Sequence, residues 1–182
     1  MGAGYCRNLA IKKSKSQFCA FIDSDDVWEK NKLKTQINFM VKNNYHFTYT
    51  YYYTINENDK FIKSILTPKK FNFDSFIKNT SIATSTMILD RTLIKKTKFP
   101  NTKICEDYFF KCQILKKIDY AICYPFFLTK YRIRKNSLQS NRFKNLIWMW
   151  KINKNLNHFN PFKNFISLLF ISINSLKKYG LR

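Results

Sequence analysis

The segment that most restricts how this chain can fold is Phe18–Ile22 (FCAFI), which runs directly into Asp23–Asp26 (DSDD). A continuous apolar run of strand length is the pattern of a strand covered on both faces, as in a parallel sheet. Carboxylates at its end can point to one side when they are two residues apart, as Asp23 and Asp25 are. Asp26 and Glu29 then spell D-x-x-E, a capping box for a helix whose buried stripe is Leu33, Ile37, Met40 and Val41. Strand, acidic turn and helix in direct succession predict an α/β fold.

The remaining segments alternate in the same way. Ala3 to Lys13 predicts a short helix with Cys6, Leu9, Ala10 and Ile11 as its buried stripe. His46 to Ile55 is aromatic and threonine-rich, Asn56 to Lys60 is turn-like, and Phe61 to Leu66 returns, which together predict a hairpin. A short helix is expected over Phe73 to Lys78, a strand over Thr84 to Leu89, and a helical turn capped by Asp90 through Lys96, before Pro100 and Asn101 break the chain. Glu106 to Lys117 carries acids at its start and lysines at its end, as a helix dipole favours. Ala121 to Tyr131 reads as extended, and Phe143 to Asn155 and Pro161 to Lys178 read as amphipathic helices, with Pro161 suited to a first turn.

With 45% hydrophobic and 18% aromatic residues, the 182-residue chain can bury a core, which argues against disorder. The 33 basic and 11 acidic residues give 33 − 11 = +22. That charge points to an anionic partner, a nucleic-acid-binding module among them, although solvated lysines encoded by AT-rich codons would serve equally well. The lysines are spread along the chain and no nucleic-acid motif of known spacing occurs. Cys6, Cys19, Cys105, Cys112 and Cys123 form no C-x-x-C pair, which suggests neither a disulfide framework nor a zinc site and fits a reducing cytoplasm. The longest apolar run, Phe165 to Ile173, is interrupted by serines and short of the ~20 residues of a span, so neither a signal peptide nor a transmembrane helix is expected.

The order RN-x-A-I, FIDSDDVW, amphipathic helix, hairpin, TSTMI and then EDY ahead of another helix resembles the family 2 glycosyltransferases along most of the chain. The resemblance implies a GT-A fold with a mixed sheet and flanking helices, its donor lying across the carboxyl ends of the strands. It also implies an inverting transfer of sugar from a nucleotide-diphosphate donor to a glycan or lipid-linked acceptor, as in surface polysaccharide synthesis. Asp25, with Asp23, is the implied ligand of Mg²⁺ or Mn²⁺, Asp23 touching ribose or metal. The competing reading is that D-S-D-D only caps a helix. Asp107 is the implied base that deprotonates the acceptor hydroxyl, and Glu106 its orienting or acceptor-binding neighbour; the plainer alternative is helix-terminal charge. Arg7, of the R-N pair, suits oxyanions of the donor. Arg132, Ser137 and Ser140 fall in a stretch similar to one that closes over donor phosphates in the family. His46 and His158 match no catalytic position.

Three departures stand out. The family opens with strands carrying I-I-P-x-Y-N-like and D-D-G-S-x-D segments, so about two βαβ units of ~30 residues seen in the family are not in this sequence. Residues 1–142 are then a partial GT-A catalytic domain and residues 143–182 a helical extension packed on it, with Phe18–Ile22 expected as an apolar edge that could pair with a separate amino-terminal half. Ser14 to Gln17 replace a glycine turn, and Gln113 stands where an arginine is common. The helix from Phe162 to Lys178 also suits contact with a membrane surface.

Overall fold

The Thr- and Tyr-rich run forms the central strand, β3 (Phe47–Ile55), of a seven-stranded mixed sheet in the computed structural model, which describes residues 2–134 and 141–180. The other strands are β1 (Phe18–Ala20), β2 (Val27–Trp28), β4 (Phe61–Ile65), β5 (Lys70–Phe71), β6 (Ile88–Asp90) and β7 (Ala121–Arg132). Their order is β1-β6-β3-β7-β2, with β4 also paired to β3 and β5 to β7. Among the described residues β3 and β7 run parallel and every other pairing is antiparallel.

Strand β7 is long and irregular for a reason visible in its register. Thr50 faces Tyr124, Tyr51 faces Phe127 and Tyr52 faces Thr129, so β7 carries extra residues at two places. Pro125, which has no N–H to donate, lies in the first of them. Bulges bend a strand and increase its twist. The first part of β7 therefore meets β5 and the last part meets β2, at Val27↔Lys130 and Trp28↔Thr129.

The helices are α1 (Ala3–Lys13), α2 (Lys32–Asn43), α3 (Phe73–Phe76), α4 (Arg91–Ile94), α5 (Glu106–Leu115), α6 (Arg142–Asn155) and α7 (Pro161–Tyr179), with a tight helical turn at Thr84–Thr86. Asp90 caps α4 as expected, accepting from the backbone N–H of Thr92. Helix α5 sends Tyr108, Phe110, Cys112, Ile114 and Leu115 into the core. There Phe110 stacks on Phe99 with centroids 3.9 Å apart, and Phe21 meets both rings edge-on. Ile152 and Phe159 of the carboxyl-terminal helical region join the same buried cluster.

Several expectations are corrected. Phe18–Ile22 is not doubly covered: β1 is a three-residue edge strand, antiparallel to β6, and Ile22 is exposed. Helix α1 faces inward with Gly4, Arg7, Asn8 and Ile11, leaving Cys6 and Leu9 exposed. Asp26 does not cap α2, because Val27 and Trp28 are drawn into pairing with β7 and the helix begins only at Lys32, after Asn31. Thr84–Leu89 divides between the tight turn and β6.

The stripe that α2 buries is also different: Lys32, Gln36 and Met40 point inward, while Leu33 and Val41 are exposed. Lys32 donates to Gln36 Oε1 and to the carbonyl of Thr86, and lies 5.1 Å over the Trp28 ring. Gln36 passes the network to Thr48 Oγ1 at 3.1 Å. Burial pushes the Lys32 ammonium down to about 7. An unfolded lysine keeps its proton to higher pH, so folding releases a proton here and stability rises as pH climbs through about 7. Between about pH 7 and pH 8 this group contributes about 1 kcal/mol of added stability. In urea titrations Lys32→Met is expected to remove that slope, and an unchanged slope would show that Lys32 is not the titrating group.

Candidate active site

Close approach of α1 to α5 creates the site. A Cβ placed on Gly4 would come within 3.1 Å of Glu106 and 3.3 Å of the Pro100 carbonyl, so the absence of a side chain sets the spacing. Asn8 locks the contact by pairing with the backbone of Phe99 in both directions, each bond 2.9 Å. One turn along from Gly4, Arg7 sits 5.4 Å from the Phe99 ring centroid. Its guanidinium donates from Nη1 to Glu106 Oε1 at 2.8 Å and from Nη2 to Asp23 Oδ1. The two acidic groups singled out in the sequence are thus joined through one forked cation. Burial works to lower the Arg7 pKa, but Asp23, Asp107 and Glu106 outweigh it and hold the guanidinium charged.

The turn at Thr84–Thr86 stitches the same groups together. Ser85 Oγ accepts from the backbone N–H of Asp23 at 3.0 Å, and its carbonyl accepts from the Trp28 indole at 2.7 Å and from Thr129 Oγ1 at 3.3 Å. Thr84 Oγ1 donates to Asp107 Oδ2 at 3.1 Å. Lys111, buried one turn further along α5, donates to the same oxygen at 2.7 Å and to the Ile82 carbonyl at 2.7 Å. Burial favours a raised Asp107 pKa, yet the Lys111 ammonium, with Arg7 and the Thr84 hydroxyl, brings it down to about 2. Asp107 is therefore ionised at neutral pH.

A left-handed turn starts α5. Cys105 has φ 61°, which is uncommon for a residue with a side chain, and it reverses the chain so that Glu106 and Asp107 emerge toward α1. Burial pushes its thiol up to about 12, so it stays protonated.

On the other flank, Arg132 is engaged on every side. Its backbone N–H donates to Asp26 Oδ1, Nε to the Asp25 carbonyl, Nη1 to the Asn56 carbonyl and Nη2 to Asp59 Oδ1, all within 2.9 Å. It clamps the DSDD turn to the β3–β4 hairpin, which makes it a positioning group for Asp25. Asp26 is buried beneath it, and burial, with Asp23 and Asp25 nearby, pushes its carboxyl up to about 6 against the hydrogen bonds that lower it. Arg134, more than half exposed, lies 3.9 Å from Asp25 Oδ2. Ser137 and Ser140 lie outside the described residues. His46 pairs with Asp90 at 3.6 Å and His158 sits in a left-handed turn, neither among the groups above.

Among the described residues no three His, Cys, Asp or Glu side chains assemble as ligands. Mg²⁺ commonly takes one or two carboxylates and completes its octahedron with water and phosphate oxygens. Asp25 and Asp23, with side chains 32% and 34% exposed, are open to that role.

Residues 1–110 match the family model described as glycosyl transferase family 2. The chain belongs to glycosyl transferase family 2. It is 40% identical over 152 residues to WfgD of Escherichia coli, described as a UDP-Glc:alpha-D-GlcNAc-diphosphoundecaprenol beta-1,3-glucosyltransferase, covering 83% of this chain and 59% of that one. It is 36% identical over 179 residues to WfaP of Escherichia coli, of the same description, covering 98% of this chain and 70% of that one. It is 33% identical over 147 residues to the putative teichuronic acid biosynthesis glycosyltransferase TuaG of Bacillus subtilis, covering 79% and 57%. The chain thus spans between 57% and 70% of the length of these relatives. The structure of S. aureus TarS 1–349 in complex with UDP-GlcNAc aligns with a TM-score of 0.65 at 17% identity, over 97% of this chain and 53% of that one. That likeness carries the GT-A fold. The comparisons lend no support to the nucleic-acid module that charge alone allowed.

Sequence reasoning named Arg7, Asp23, Asp25, Glu106, Asp107 and Arg132, but missed Lys111, Ser85 and Arg134. The spacing of Asp107 and Lys111, four residues apart on a helix, was the available signal. Removing one partner of a largely buried ion pair leaves the other uncompensated. Lys111→Met is expected to destabilise the fold by about 3 kcal/mol and to raise the Asp107 pKa, read by urea denaturation and by carboxyl NMR titration. A wild-type stability and titration would show that Lys111 does not hold Asp107.

Proposed function

We propose that this chain carries the metal-binding and base-bearing part of an inverting glycosyltransferase, which moves a sugar from a nucleoside-diphosphate donor to a lipid-linked glycan acceptor in surface polysaccharide synthesis. The supporting observation is the Arg7 bridge, which draws Asp23 and Glu106 into one site with Asp107 beside them. Residues 1–142 form the catalytic part in this reading, and residues 143–182 an extension packed on it. The two relatives described with UDP-Glc as donor and a diphosphoundecaprenol-linked acceptor make UDP-glucose the first donor to try and an undecaprenyl-diphosphate sugar the first acceptor. In this reading the chain works at the inner face of a cytoplasmic membrane.

In the reaction the acceptor hydroxyl oxygen attacks the anomeric carbon from the face opposite the diphosphate. The new C–O bond forms as the bond to the leaving phosphate breaks, and the nucleoside diphosphate departs with the electron pair. Asp107 accepts the hydroxyl proton. Its Oδ2 is held by Lys111 and Thr84, which leaves Oδ1 for that proton. A carboxylate with so low a pKa is a weak base, so proton transfer accompanies attack and does not precede it. Glu106, tied to Arg7, orients the acceptor. Asp25, with Asp23, would hold Mg²⁺ or Mn²⁺, which neutralises charge building on the departing diphosphate. Arg134 is placed to add a second positive charge near Asp25.

The test is transfer from UDP-glucose, by the chain alone and by the chain extended with the opening strands of a relative. Asp107→Asn is expected to lower kcat by about 10²–10⁴-fold with little change in KM, the usual contribution of a positioned base. Asp25→Asn is expected to weaken the dependence on added Mn²⁺ or Mg²⁺. Failure of the extended chain to bind any nucleotide sugar with either ion, together with no effect of Asp25→Ala, would end this reading.

A further inference from the structure

Helix α7 is amphipathic in the reverse of the usual sense. The face it turns to the protein is largely polar: Asn164 and Ser167 are buried there, beside Ile171. Ser167 Oγ donates to the Ile77 carbonyl at 2.6 Å, and Asn164 accepts from Asn153 Nδ2 at 3.0 Å and donates to the Trp150 carbonyl at 3.0 Å. Asn153 in turn accepts from the Tyr108 hydroxyl at 2.8 Å. These bonds fix the rotation of α7 about its own axis. The opposite face then presents Phe162, Phe165, Leu169, Ile173 and Leu176, exposed by 74%, 60%, 47%, 39% and 41%. Their spacing of three and four residues makes one continuous stripe on the helix. A contiguous apolar stripe held outward by a satisfied polar face marks an interaction surface.

Charge identifies what covers it. No Asp or Glu follows Asp119 in the sequence. Lys144, Lys151 and Lys154 on α6 and Lys163 and Lys177 on α7 are all exposed, with Asp74 of α3 pairing only with Lys163, at 3.4 Å. Two such faces from two copies of a chain of net charge +22 repel one another. An apolar stripe on a helix pair that carries exposed lysines and no acidic residue matches an anionic bilayer, where the stripe enters the boundary between headgroups and acyl chains and lysines meet lipid phosphates. Among the described residues no helix is long and apolar enough to cross a membrane.

We propose that α6 and α7 form a docking face for an anionic lipid bilayer, α7 lying along the surface on its outward stripe. This goes beyond the transferase reading and does not depend on it, since the binding requires no donor, acceptor or catalytic carboxylate. The experiment is flotation of the full chain with vesicles of phosphatidylcholine alone and of phosphatidylcholine containing one-third phosphatidylglycerol. Binding to the anionic vesicles is expected to be at least about tenfold stronger. The combined variant Phe162→Ser, Phe165→Ser and Leu169→Ser is expected to weaken it by at least about tenfold, with circular dichroism and melting unchanged. Lys151→Glu with Lys154→Glu is expected to weaken it on anionic vesicles only. The proposal is overturned if the chain fails to float with anionic vesicles, or if the serine variant floats as well as the wild type. It is equally overturned if sedimentation shows a dimer that the serine variant dissolves while vesicle binding is absent.

Discussion

One guanidinium holds the functional region together. Asp23 ends the segment that β1 begins, and Glu106 starts a helix far along the chain; their carboxylates would repel at close range without a cation between them. Arg7 supplies it, with a planar fork whose two terminal nitrogens each reach a different carboxylate in fixed geometry. The arrangement is the more notable in a chain with only 11 acidic residues, of which Asp23, Asp25, Asp26, Glu106 and Asp107 gather here. Arg7, Lys111, Arg132 and Arg134 meet them there, so the site is a network of paired charges inside a strongly positive chain.

Around that bridge the fold uses irregular backbone to aim side chains. The two bulges of β7 turn its end toward the DSDD turn, bringing Thr129 to the Ser85 carbonyl and Arg132 across Asp25 and Asp26. Bulges often sit beside active sites because an extra residue redirects a strand without ending it. The left-handed Cys105 does the same for α5. Gly4 acts by omission, allowing α1 to approach closely enough for Arg7 to reach both acids.

Two helices show that polar residues inside can be as decisive as apolar ones. In α2, Lys32 and Gln36 are buried against Trp28, Thr48 and Thr86; in α7, Asn164 and Ser167 are buried against α6 and the carbonyl of Ile77. Every such contact must be satisfied to be tolerated, which makes the packing angle specific. The consequence is that apolar residues on the far side, Leu33 and Val41 of α2 and the stripe of α7, are left facing outward.

The sequence by itself determined most of the longer helices and strands, because periodicity, capping and turn chemistry act over a few residues; the two-residue strands β2 and β5 exist only through their pairing with β7. The hairpin of β3 and β4, the Asp90 cap, helix α5 and the two last helices were all legible in that way, and so were the motifs of the family. It also pointed to Arg7, Asp23, Asp25, Glu106 and Asp107. What those residues touch was decided only by the tertiary structure. Arg132 clamps the DSDD turn to the hairpin, a contact no motif announced; Asp26 was expected at a helix start and instead lies buried under β7. Burial of a helix face depends on what approaches it from elsewhere in the chain, so neither the inward Lys32 nor the outward Phe162 follows from hydrophobic spacing. Strand direction is likewise non-local, since a five-residue apolar run is compatible with either pairing until β6 arrives beside it.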